Sequence, residues 1–232
     1  MKISKNFTSL ASVALFTALV PLNANSATIF DFTTTNFGLS DSSTVDSAAM
    51  TVDGITVDLT AFSITNNGAG AITGKTQLTG DTGIYISGSS NNIGVRSHPT
   101  ADGTNMDGGD SSSDLDEGIL FTFDQMVTLD FINFDSFSNS EGDDFNLTVD
   151  GVLKLFDHNQ DDGTVAGIVA NGSSSDYFNF SVTGKEFLVW ADGDSDSFRI
   201  DEINVSAVPE PTSLALVGLG LAGLGFSRKK KA

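Results

Sequence analysis

Apolar and polar residues alternate in short runs along most of this chain, and turn residues break the runs at intervals of about ten positions. A period of two predicts half-buried strands rather than helices. Phe30 and Phe32 flank Asp31 in the first run. Ala49 to Thr60 reads as a hairpin about Asp53-Gly54, a dipeptide that tolerates the positive φ angles of a type I′ turn. Phe145 to Phe156 repeats the pattern about Asp150-Gly151. Ile119 to Phe123 is a short apolar strand. Val127, Leu129 and Phe131 share one parity and Phe134 has the other, which predicts a bulge near Ile132. Phe178, Phe180 and Val182 share a face. Phe187 to Trp190 is apolar throughout, as for a strand buried on both sides. Phe198 and Ile200 are out of parity with Ile203 and Val205, so a second bulge is expected near Asp201. About ten strands at these spacings predict an all-β fold, an antiparallel two-sheet sandwich of jelly-roll type. Two long polar stretches interrupt it, Asn66 to Gly74 and Ser97 to Asp116.

The two ends follow different rules. Lys2 and Lys5 precede an apolar stretch from Leu10 to Leu22, and small residues follow at Ala24, Ser26 and Ala27. This is the layout of a secretory signal peptide over residues 1–26, with an uncleaved anchor as the alternative. Residues 27–207 then form one acidic domain, and residues 208–232 form a tail. The tail reads Val208-Pro209-Glu210-Pro211, an uncharged run rich in Leu, Ala and Gly, and Arg228-Lys229-Lys230-Lys231. Neither proline fits a helix interior or a central strand, so the tripeptide is expected to be extended and exposed. A fifteen-residue helix spans about 22 Å against a bilayer core of about 30 Å. The run is thus a short C-terminal transmembrane helix whose terminal basic residues snorkel and stay cytoplasmic.

Pro209, Glu210, Pro211, the run Leu214 to Phe226, and Arg228, Lys229, Lys230 and Lys231 together resemble the PEP-CTERM sorting signal. The resemblance implies export by a Gram-negative bacterium that makes extracellular polysaccharide. It also implies processing near the tripeptide by an exosortase, an integral-membrane transpeptidase-like enzyme. The body resembles sandwich domains found ahead of this signal. That likeness rests on Gly94-Val95-Arg96, on Asp116 to Asp124, on Asp143 to Gly151, and on Ser197 to Asp201.

Charge narrows the partners. Six of the eleven basic residues lie in the terminal segments, whereas the body holds 29 of the 30 acids and five bases, a net charge of −24. Nucleic acid and anionic lipid surfaces would be repelled. With no cysteine, the exported domain must rely on its core, on metal, or on both.

Asp192, Asp194 and Asp196 place three carboxylates at alternate loop positions, the spacing of a calcium loop. It is not an EF-hand, since Ser197 and Ile203 stand at its sixth and twelfth positions. Asp157 to Asp161 has similar spacing and fails likewise. A third cluster holds Asp107, Asp110, Asp114, Asp116 and Glu117. The alternative is ordinary acidic turns, because Asp and Gly are common turn formers.

Catalysis has little support. The two histidines, His98 and His158, lie in polar stretches and are expected to be exposed. No Gly-x-Ser-x-Gly elbow or His-Glu-x-x-His pair occurs. Tyr85, Tyr177 and Trp190 are the side chains suited to stacking on a sugar, and Trp190 reads as core. The sequence thus predicts an exported, non-catalytic surface or matrix protein, sorted by an exosortase and associated with exopolysaccharide, with calcium as a candidate bridging ion. A lectin-like carbohydrate-binding module is the alternative, and a glycan-active enzyme a more remote one.

Overall fold

The computed structural model describes residues 26–33, 36, 43–87, 92–97, 105–108, 115–138, 142–171, 176–191, 193 and 196–209. The expected signal peptide up to residue 25 and the expected membrane helix after Pro209 lie outside them. Among the described residues no helix is long and apolar enough to cross a membrane.

Among the described residues fourteen strands follow one another: β1 Ala27–Asp31, β2 Ser43–Val45, β3 Ser47–Val52, β4 Ile55–Asn66, β5 Ile72–Gln77, β6 Gly83–Ser87 and β7 Asn92–Arg96. Then come β8 Met106–Asp107, β9 Asp116–Asp135, β10 Phe145–Val149, β11 Val152–His158, β12 Val169–Asn171, β13 Tyr177–Trp190 and β14 Ser197–Ala207. The surplus over ten consists largely of edge strands such as β2, β8 and β12, which at two or three residues show no period. The pairing is antiparallel and continuous, in the order β11-β10-β13-β9-β14-β7-β6-β2. β4 also pairs with β9 and carries β3 and β5; β1 and β8 attach to β14, and β12 to β13.

Strand β9 organises this sheet. Its first half lies between β4 and the end of β13, with Phe121 opposite both Leu59 and Phe187. Its second half lies between β14 and the start of β13, with Ile132 opposite both Ile203 and Phe178. The Asp-Gly hairpins form as the sequence predicts. Asp53 and Gly54 have φ of 50° and 82°, and Asp150 and Gly151 have 48° and 76°, the positive pair that a type I′ turn requires.

Both expected bulges exist, one of them displaced. Asp201 is the extra residue between the Ile200–Phe134 and Glu202–Asn133 pairs. On β9 the extra residue is Asp130, between the Leu129–Val205 and Phe131–Asn204 pairs. Val127 and Leu129 therefore point into the core while Phe131 points out, which corrects the expected grouping of all three. Parity misled because Phe131 is itself apolar, so the run gave no mark of where the face changes.

One core joins the halves. At its centre Phe134 packs against Phe137, Phe145, Phe178 and Phe198, with ring centroids 5.2, 5.0, 5.7 and 5.1 Å away. Phe187 and Val189 face this core, whereas Leu188 and Trp190 join Ile64 in a second cluster on the other face. The strand Phe187 to Trp190 is thus buried on both sides, as its composition predicts.

Candidate functional site

The acidic loops gather at one end of the sheet, and their carboxylates bind backbone. Asp143 is 2% exposed. Its Oδ1 accepts from the Ser197 amide at 3.0 Å and its Oδ2 from the Ser138 amide at 2.6 Å. Asp196, also buried, accepts from the Asp144 amide through Oδ1 at 2.8 Å. Glu117 Oε2 accepts from the Asp107 amide at 3.1 Å. Ser197 Oγ donates to Asp107 at 2.8 Å, and the Asn66 amide group donates to Asp116 at 2.6 Å. A carboxylate that satisfies amides from a distant loop substitutes for the regular pairing those loops lack. Gly108 fits here because it meets Gly193; a Cβ would stand 2.1 Å from the Gly193 carbonyl oxygen.

Of the expected calcium ligands, Asp196, Asp116 and Glu117 are brought to this end, each already holding a protein donor. Asp192, Asp194, Asp110 and Asp114 lie outside the described residues. Among the described residues no group of three or more His, Asp or Glu is arranged to hold a metal ion. Asp143 is not among the candidate ligands that the sequence offers, because an acid in an acidic loop looks solvated until the distant loops that approach it are known.

His158 is a correction. It closes β11 with 3% exposure, edge-on to Phe145 at 5.6 Å, its Nδ1 3.7 Å from Asp162. The neighbouring Asp157 takes φ of 46° and its amide donates to Asn146, a turn that swings His158 inward. His98 lies outside the described residues.

A second acidic group lies beside the Asp201 bulge. Burial, then repulsion from Asp31 and Asp135, raises Asp201 above the ordinary 3.8. Burial, then Asp201 and Asp31, raises Glu202 above 4.5. Burial likewise raises Asp144, partly offset by the hydrogen bond from Asn159. A carboxylate raised in the folded state holds its proton there more tightly than in the unfolded chain. Its contribution to stability is present at low pH and lost as pH rises from about 4 through the raised value. Glu202→Gln should therefore flatten the fall in melting temperature as pH rises above about 4.5. An unchanged slope would show that this carboxylate is as well solvated as in the unfolded chain.

The aromatic candidates separate. Trp190 is fully buried and Tyr85 lies under Arg96, whose guanidinium carbon is 5.0 Å from its ring. Tyr177 stands on an outward face beside Phe131, ring centroids 4.9 Å apart. Elsewhere a pocket of about 210 Å³ lies between Ile72, Lys75, Leu120, Thr148, Glu186 and Leu188. That is below the roughly 300–1,000 Å³ of sites for drug-sized ligands.

The chain leaves the sheet at its other end. After Ala207, the Val208 amide donates to the Met126 carbonyl at 3.1 Å, and Pro209 is exposed. No spacer separates the last sheet-edge hydrogen bond from the tripeptide. Residues 207–229 match the model of the PEP-CTERM protein-sorting motif. The chain therefore carries the sorting signal of an exosortase substrate, an exported protein associated with the cell envelope. No curated protein and no solved structure matches the chain.

Proposed function

We propose that this is an exported, non-catalytic surface or extracellular-matrix protein, sorted by an exosortase and associated with exopolysaccharide. The observation that carries the reading is the sorting motif over residues 207–229, which begins on the last residue of β14. The body folds as a sandwich of jelly-roll type, held on the outer side by the tail. The non-catalytic part rests on the sequence, which has no cysteine and no motif for a His-based triad or zinc site. Replacing Glu210 by Ala should leave a full-length, membrane-bound form. If Glu210→Ala is processed like the wild type, the tripeptide is not the handle.

Calcium is part of the proposal, with Asp192, Asp194 and Asp196 as the favoured ligands and Asp114, Asp116 and Glu117 as the weaker set. A body at −24 repels itself, and a bound Ca²⁺ turns local repulsion into coordination. Binding at a hundredfold excess over Kd adds about 2.7 kcal/mol, which raises the melting temperature by roughly 5–10 °C in a domain of this size. Mg²⁺ at equal ionic strength should do much less, and Asp194→Asn should lose most of the calcium shift. Equal effects of the two ions would reduce these acids to a solvated surface. A lectin-like module is the second reading, favoured by the outward position of Tyr177 beside Phe131.

A further inference from the structure

The outward face of β1, β14, β9 and β13 is built from two cross-strand rows. Residues directly opposite in antiparallel strands share a face, and residues two apart along a strand do too. One row is Ile29, Asn204, Phe131 and Asn179. The next is Asp31, Glu202, Asn133 and Tyr177. The rows thus carry an aromatic pair, three amides and two carboxylates. They hold no lysine or arginine.

Several features separate this face from an ordinary solvated one. The Asp130 bulge turns Phe131 outward, where an unbroken strand would send it inward with Leu129; bulges re-aim side chains in this way next to sites. The Phe131 and Tyr177 rings, with centroids 4.9 Å apart and planes inclined by 35°, form an aromatic pair on this face. Asn133 is held by donating to Asp201 at 3.0 Å. Asn204 is 4% exposed, and its Oδ1 has no hydrogen-bond partner. It lies in register between Ile29 and Phe131, an acceptor that the fold itself does not use.

We propose that this face binds a neutral polysaccharide chain, the two rings stacking on sugar C–H faces and the amides and carboxylates of the two rows bonding hydroxyls. The inference rests on the lectin-like reading above and names its site and ligand class. Stacked rings beside amides match the alternation of apolar C–H and hydroxyl on a sugar. The carboxylates Asp31 and Glu202 accept hydrogen bonds from hydroxyls and, with Asp201 beside them, repel an anionic glycan. Four strands span three spacings of about 4.8 Å, roughly 14 Å. That suits an extended chain of several sugars, whereas the pocket beside Lys75 admits only a small group.

The test is native affinity electrophoresis of the full-length chain in detergent, through gels containing a neutral glucan, a neutral galactomannan, or alginate. At least one neutral gel should retard the wild type and alginate should not. Tyr177→Ala and the conservative surface change Asn179→Ala should each weaken retardation at least tenfold, with melting temperature checked for both. Lys75→Ala, in the small pocket, should be retarded as strongly as wild type, each compared with its own mobility in a gel without polysaccharide. The inference is overturned by no retardation in either neutral gel, by equal retardation in alginate, or by loss only in Lys75→Ala. It is equally overturned if Asn179→Ala and Tyr177→Ala, still folded, bind as wild type. Cell fractionation of the same variants should be unchanged, so a sorting failure would show in that readout and not in the gels.

Discussion

In cells that lack the exosortase, deleting residues 208–232 should move the protein from the membrane fraction almost entirely into the medium. The tail carries an uncharged apolar run followed by four basic residues, the order that the positive-inside tendency would anchor with the basic end cytoplasmic. Among the described residues of the body no helix is long and apolar enough to cross a membrane. The body carries −24, which an anionic bilayer surface repels. Among the described residues the core is made of buried apolar side chains, and Met126 and Val152 are among the few large ones left exposed. The cut falls after the last described strand and, among the described residues, removes the bond from Val208 to Met126. A soluble, folded body is therefore expected, and a truncated protein that still sediments with membranes would remove the tail from its assigned role.

Phe134→Ala should be the most damaging single change in the body, at about 3–5 kcal/mol. Phe134 is 1% exposed and meets four phenylalanine rings, each pair adding something beyond simple area burial. Those rings come from β10, β13, β14 and the segment after β9, so the cavity loosens several connections at once. Whole domains are stable by only about 5–15 kcal/mol, so this loss lowers the melting temperature by roughly 6–20 °C at this chain length. Phe131→Ala, three residues away, is the control. Its ring points outward beyond the Asp130 bulge and is only half-buried, so it should cost well under half as much. Equal losses at the two positions would contradict the bulge.

What the sequence could show depended on how local the cause was. The Asp53-Gly54 and Asp150-Gly151 turns are legible because two adjacent residues with positive φ dictate them. The Asp201 bulge is legible because apolar Ile200 and Ile203 differ in parity across it. The Asp130 bulge is displaced from its expected place because Phe131 looks like core whichever way it points. The roles of Asp143 and Asp196 were hidden for another reason. Their partners, Ser197 and Asp144, are more than fifty residues away in sequence. An acidic loop that ties down distant amides has the same composition as one that is merely solvated. His158 follows the same logic, since Phe145 and Phe178, which enclose it, come from other strands. The tail is the opposite case. Its meaning lies in the order of tripeptide, apolar run and basic cluster, which needs no tertiary contact to be read.

The central claim is that an exosortase acts on this chain at the Pro209-Glu210-Pro211 handle. The direct measurement is the intact mass of the mature protein, recovered from cells that contain the exosortase and from cells that lack it. With the enzyme, the mass should correspond to a chain that has lost the apolar run and Arg228 to Lys231. Without it, the chain should keep its full C-terminus and stay in the membrane fraction. The same C-terminal mass in both strains would contradict the account.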